Sequence, residues 1–307
     1  MTQSLLAALY ALALWWLSTG LVLVAVRRLS MSRSAIMIGA TAALGLGMWA
    51  LHASSDDTTA RGAFVAFSAA LLVWAWHEIS FLTGVVTGPR TTAAPDGDLA
   101  PAGSGRQEAL RQTAGTSKLS SANASERAPL RSAIETLLYH ELAILASLAA
   151  IVLLTRDGDN FFGLMTFVVL WVMRLSAKLN LYLGVPNLGE AFLPRHLAYL
   201  ESYFCRRPMN YLFPVSVTVA TAATFHFGAT ALSAGATAFE SAGHALIAAL
   251  LGLAVLEHWF MVLPFQATNL WRWGLPDDQA GHSTNPRTAT KSTIQQDDAC
   301  PATALTS

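Results

Sequence analysis

The chain has 307 residues, 53% hydrophobic and only 12% charged, where ordinary soluble domains carry about a quarter charged residues. Mean hydropathy is +0.44, which excludes a soluble globular domain. Basic and acidic side chains balance at 19 each, so partners must be read from where charge lies, not from its sum.

Seven stretches reach the roughly 20 residues a helical membrane crossing needs. They run over 5–26, 34–52, 63–87, 134–154, 161–184, 211–232 and 243–264. The second is short and glycine-rich and the fifth is the least hydrophobic, so six crossings are the alternative. The first has no basic n-region and is followed by Arg27 and Arg28, which reads as a retained anchor, not a cleaved signal peptide. The fold class is all-α, a polytopic membrane helix bundle of about seven transmembrane helices.

Residues 1–90 hold the first three spans and 131–275 the last four. Residues 91–130 are rich in Ala, Ser, Gly and Thr without a hydrophobic period, and read as a disordered cytoplasmic linker. Residues 276–307 have the same character and form a disordered cytoplasmic tail. Between the fifth and sixth spans, Leu193, Leu197, Leu200 and Phe204 recur at helical spacing, with Pro194 suited to a first turn. Arg195, Glu201, Arg206 and Arg207 interleave with them. This predicts an amphipathic helix near 190–207, either on the cytoplasmic interface, where basic groups meet anionic lipid, or a simple connector.

Basic residues set the orientation. With the N-terminus periplasmic, fifteen lysines and arginines fall on the cytoplasmic side and only Arg61 and Arg156 outside. The C-terminus is then cytoplasmic, in the cell inner membrane or its intracytoplasmic extension. No nucleic-acid partner is expected. Cys205 and Cys300 are the only cysteines, so no disulfide framework or CxxC metal knuckle is available. In the first outer loop, Asp56 and Asp57 suit helix capping better than metal binding.

The remaining charges lie within the spans. Each acidic or basic group near a helix centre costs roughly 2.5–3.5 kcal/mol to insert, so such residues are functional candidates by default. His77 and Glu78 lie in WHEIS, His140 and Glu141 in YHELA, Arg174 and Lys178 in WVMRLSAKLN, and Glu257 and His258 in LEHWF. Counted inward from their span ends, His77, Arg174 and Glu257 lie thirteen or fourteen residues from the outer side, and His140 six from the inner side. At about 1.5 Å per residue all reach one level. This predicts a composite intramembrane polar layer.

On a helix, adjacent residues point about 100° apart, so each His–Glu dipeptide splits between two faces. His140 shares its stripe with Ala143 and Ser147, His77 with Ala70 and Ser80. The spacing is not the HExxH arrangement, in which two histidines share a face. The layer admits four readings: an ion-pair network locking helices, with Arg174 paired to Glu78, Glu141 or Glu257; a pigment or metal site; a proton or ion path; or a catalytic centre. No nucleophile elbow, P-loop or nucleotide fingerprint appears, so no catalytic residue is assigned, and no metal ligand set is defined.

WHEISFLTGVVTGPR, YHELA, FVVLWVMRLSAKLN, FLPRHLAYLESYF…RRPMN…LFPVSVT, LEHWFMVLP and LWRWGL together resemble the PuhE family of photosynthetic complex assembly proteins of purple phototrophic bacteria. The resemblance covers roughly residues 5–275. It implies a non-enzymatic inner-membrane assembly factor for the reaction centre and core light-harvesting complex. Its partners would be their nascent subunits and other assembly factors. Transient bacteriochlorophyll binding is the cofactor this suggests, through a histidine of the polar layer. A transporter of pigment, precursor or ions, and a membrane enzyme acting on pigment, are the alternatives. The linker after Arg90 and the tail after Pro276 look like additions to the family core and are assigned no function.

Overall fold

Three hydroxyl side chains fix where spans begin. Ser32 accepts a hydrogen bond from the Ala35 amide and Thr59 from the Gly62 amide, at 3.2 Å each. Thr237 and Glu240 form a reciprocal capping box, the T-x-x-E signature of a helix start. In this computed structural model, residues 2–27, 31–94, 129–189, 192–264 and 267–274 are described. Among them there is no strand. The expected linker from 95 and the tail from 275, Cys300 included, lie outside the described residues.

The helices are α1 (Thr2–Arg27), α2 (Arg33–Ala53), α3 (Ala60–Leu82), α4 (Leu130–Glu135), α5 (Leu138–Thr155), α6 (Phe162–Leu183), α7 (Leu212–Ala231) and α8 (Ala238–Phe260). All but α4 are long and apolar enough to cross a membrane, so the protein is a seven-span polytopic helical membrane protein. Two 3-10 helices, Arg195–Tyr203 and Ala267–Gly274, lie between and after the spans.

α3 and α8 are the central helices. They bury 44% and 50% of their apolar windows, where the other five spans bury 17–22%. α3 packs against α1, α2, α5, α6 and α8, and α8 against α1, α3, α6 and α7. Small residues let them approach: a Cβ added to Gly243 of α8 would fall 2.1 Å from the Phe162 ring. Ala63, Phe162, Phe239, Ala242, Ile247 and Leu251 form one core cluster, toward the N-terminal ends of α3, α6 and α8.

Among the boundaries that differ from the sequence reading, three have a visible cause. α3 stops at Leu82, five residues before the expected 87, because Gly84 turns the chain at φ 72°. The fourth span does not start at 134: the chain breaks after α4 and restarts at Leu138. Here the close approach of Thr87 and Gly88 intervenes. The His140 amide donates to the Thr87 carbonyl at 2.8 Å, and a Cβ on Gly88 would sit 2.0 Å from the Glu135 carbonyl oxygen. The last span begins at Ala238 instead of 243, on its capping box.

The stretch expected as an amphipathic helix near 190–207 forms a 3-10 helix over Arg195–Tyr203. In that geometry side chains three apart eclipse, and the buried residues are Leu197, Leu200 and Tyr203. Arg195 is exposed. Arg206 and Arg207 lie beyond the helix, where Val185 donates to the Cys205 carbonyl and Cys205 to that of Leu181. Arg207 packs on Gly184, which has a φ of 116°. The second 3-10 helix packs on the C-terminal half of α1, with Trp15 against Trp271 and Trp16 against Trp273 at ring separations of 5.1 and 5.4 Å.

Candidate functional site: an intramembrane polar layer

α6 organises the site because it carries two polar pairs at i, i+4 spacing, offset by two residues. Arg174 and Lys178 share one face; Ser176 and Asn180 lie about 200° round, on the other. The first pair meets α3 and α5, the second meets α7 and α8.

On the charged face, Arg174 donates to Glu78 at 2.5 Å and Lys178 to Glu141 at 2.6 Å. Trp171, one turn before, donates its indole N–H to the other oxygen of Glu141 at 3.2 Å. The two glutamates turn away from their neighbouring histidines, as helical phase requires, and each finds its own cation on α6. Glu257 is the third carboxylate. It accepts from the Trp15 indole at 2.7 Å and lies within electrostatic reach of Arg174 without a direct bond. Three carboxylates thus share two cations.

His77 and His140 form the centre. They are 0% and 2% exposed, and their rings meet edge to face at 6.1 Å. The Nε2 of His77 lies 3.0 Å from the Ser147 hydroxyl, on the small-residue stripe that also bears His140. Nδ1 of each ring is buried without a hydrogen-bond partner. Trp76 and Phe167 close on His77, and Phe81 on His140. A pigment macrocycle needs an open face above the ligating nitrogen. These rings have none, so the geometry does not fit either as a resident bacteriochlorophyll ligand. Among the described residues no three His, Cys, Asp or Glu side chains gather as a metal site.

His258 belongs to a different cluster. Its Nδ1 faces the Ala254 carbonyl at 2.8 Å and its Nε2 the Ser176 hydroxyl at 2.9 Å. Ser176 donates to Ser216 at 2.9 Å, and Asn180 to the Ser176 carbonyl at 3.0 Å. Asn210 extends the network, donating to the Gly184 carbonyl at 2.8 Å while its own oxygen caps the start of α7. Ser176, Asn180, Asn210 and Ser216 were not singled out in the sequence, because neutral polar residues raise no insertion alarm. The signal was the i, i+4 spacing of Ser176 and Asn180, read in parallel with Arg174 and Lys178.

Outside the spans, Arg90 donates to Glu135 at 3.1 Å and ties the segment that follows α3 to α4. The Arg90 hydrogen bond holds the Glu135 carboxyl below its ordinary range, against the opposing effect of desolvation. In the loop between α2 and α3, Thr59, not an aspartate, caps α3. Asp57 steadies it by accepting from the Thr59 amide and hydroxyl at 3.0 and 2.6 Å.

Seven apolar crossings, five of them packed around the two central ones and tied by paired charges, define a polytopic membrane protein with an internal ion-pair layer. The chain belongs to the family described as a protein of unknown function (DUF3623), whose model matches residues 1–102 and 113–282. The match runs through most of the linker and past Pro276. Only 103–112 and the last part of the tail therefore fall outside the family core, a narrower addition than expected. The chain is 40% identical over 280 residues to an uncharacterized 30.4 kDa protein in the puhA 5′ region of Rhodobacter capsulatus, covering 90% of this chain and 92% of that one. No solved structure matches it.

Proposed function

We propose that this protein is a non-enzymatic assembly factor for the photosynthetic reaction centre and core light-harvesting complex, the PuhE member of its family. The observation that carries the reading is the 40% identity, along nearly the whole chain, to a protein placed beside puhA. That position agrees with the role implied by the resemblance. The geometry supports a scaffold over a reaction chamber: Arg174, Lys178, Glu78 and Glu141 are committed to each other, and the histidines are enclosed. What the bundle offers outward is apolar helix surface, such as Leu5, Leu9 and Leu12 of α1 and Val215, Val219 and Phe225 of α7. Membrane helices associate through such faces by close packing. Nascent subunits of the complex, and other assembly factors, are the partners.

The N-terminus is periplasmic and the C-terminus cytoplasmic in the inner or intracytoplasmic membrane. Among the described residues apart from Arg174 and Lys178, Arg27, Arg33, Arg90, Arg131, Arg195, Arg206, Arg207 and Arg272 then lie on the cytoplasmic side, and only Arg61 and Arg156 on the periplasmic side. Reporter fusions in the 91–130 linker and at the C-terminus should be active only in the cytoplasm; periplasmic activity at either overturns this orientation.

Deletion should lower the assembled reaction centre and core antenna, read as near-infrared absorbance of membranes, while pigment synthesis and transcripts for the complex persist. Unchanged absorbance refutes the assembly role. Accumulation of a pigment precursor would instead assign the protein to an enzyme of pigment synthesis, and pigment or ion uptake by vesicles of the purified protein to a transporter.

A further inference from the structure

A groove lies on the membrane face of the bundle, in the half opposite the polar layer. α1 and α2 both pack on α3, and between them they leave a cleft of about 590 Å³. α3 supplies its floor with Val65, Ala69 and Leu72; Tyr10 of α1 and Ala50 of α2 stand on the two sides, and Arg61 lies at one end. Apart from Arg61, the only polar groups lining it are the hydroxyls of Tyr10 and Ser68, which bond each other at 2.7 Å. The interior is therefore apolar and its single charge is cationic.

Length decides what fits. From Arg61 to Leu72 the floor rises eleven residues, about 16 Å at 1.5 Å per residue. That is half of a roughly 30 Å hydrocarbon core, or one leaflet. A partner transmembrane helix, about 10 Å across and running the full thickness, would need this cleft to continue into the other half, where α2 instead presents a separate, smaller hollow of about 380 Å³ beside Met37, Ile38, Thr41 and Ala42. An acyl chain needs one leaflet only.

Charge decides which lipid. Arg61 is in the first turn of α3, where the hydrocarbon gives way to headgroups. No ion pair engages it among the described residues. Asp57 lies within electrostatic reach of it, and one oxygen of that carboxylate accepts from the Thr59 amide and hydroxyl. The guanidinium's planar fork matches a phosphate. We infer that the groove holds one anionic phospholipid, with an acyl chain along Val65, Ala69 and Leu72 and its phosphate on Arg61. The site is independent of the assembly reading and would stand if that reading fell.

The test is native mass spectrometry of the full-length protein after exchange into bilayers of phosphatidylglycerol or of phosphatidylcholine. Wild type should retain one phospholipid per chain, with about a fivefold preference for phosphatidylglycerol, the size expected of one interfacial ion pair. Arg61→Gln should lose the preference yet still retain neutral lipid. Val65→Trp, at a position 36% exposed, should fill the groove and abolish retention of both. Thermal midpoints in detergent should be the same for all three proteins. Equal retention of the two lipids by wild type, or an undiminished preference in Arg61→Gln, overturns the inference. So does a photo-crosslinker at position 65 that captures protein instead of lipid in native membranes.

Discussion

Toward the Arg61 end of the bundle, helices meet through alanine, glycine and phenylalanine: Ala63, Phe162, Phe239 and Ala242 around Gly243. Toward the Arg90 end they meet through Arg174–Glu78, Lys178–Glu141, the His77–His140 contact and the His258–Ser176 network. The difference follows from the solvent. Lipid gives no hydrophobic drive for helix association, so helices cohere either by close van der Waals approach or by satisfying polar groups. The first makes a rigid half whose energy is spread over many small contacts. The second concentrates it in a few pairs, each expensive to break.

Arg174→Leu should therefore be the most damaging single change. It strands Glu78, and breaking a buried pair costs about 3–5 kcal/mol; the lower figure suits a guanidinium that is 45% exposed. The readout is membrane level and thermal midpoint. Arg174→Leu with Glu78→Leu should be milder than Arg174→Leu alone, because no charge is left without its partner. A double variant no better than the single would refute the pairing as the source of the effect.

Gly243→Ala tests the opposite half. Its new Cβ meets the Phe162 ring at 2.1 Å, and overpacking a tight core costs about 1–3 kcal/mol. The shift in midpoint should be relieved by Phe162→Leu, which makes room. Gly243→Ala with a wild-type midpoint would mean that the close packing is not stabilising.

Ser176→Ala probes the neutral polar cluster. It removes the hydroxyl that contacts His258 Nε2 and donates to Ser216, and should cost about 1–2 kcal/mol, less than the charged pair. Asn180→Ala should be non-additive with it, since both belong to one network. Strict additivity would separate the two residues.

The smallest expected effect lies outside the spans. Arg90 depresses the Glu135 carboxyl in the folded state. A depressed acid stabilises the fold above its unfolded value, near the ordinary 4.5, and that contribution is lost as pH falls through the folded value. Wild-type thermal midpoint should thus fall in acid more steeply than that of Glu135→Gln. Identical acid profiles would show that the link between α3 and α4 does not stabilise.

Much of this was legible without coordinates. Span number follows from apolar length, because every backbone group must be satisfied inside the helix when lipid offers no partner. The candidate layer follows from ionisable residues recurring at one depth, because only paired or functional charge survives there. The pairing of Arg174 with some glutamate was also readable, since the sequence offers only three at its depth. Which glutamate was not: Glu78, Glu141 and Glu257 are equivalent in a one-dimensional count.

Tertiary structure made that choice, giving Glu78 to Arg174, Glu141 to Lys178, and Glu257 to the Trp15 indole. It also separated His258 from the other two histidines, because helix rotation about its axis, not depth, decides which neighbour a side chain meets. The break between α4 and α5 depended on Gly88 lying against Glu135, a contact between segments 47 positions apart. The burial of His77 and His140 behind Trp76, Phe167 and Phe81 was likewise decided by packing. Sequence fixes period and depth, because both are properties of a single helix. Azimuth, enclosure and partner choice belong to pairs of helices, and only the folded bundle determines them.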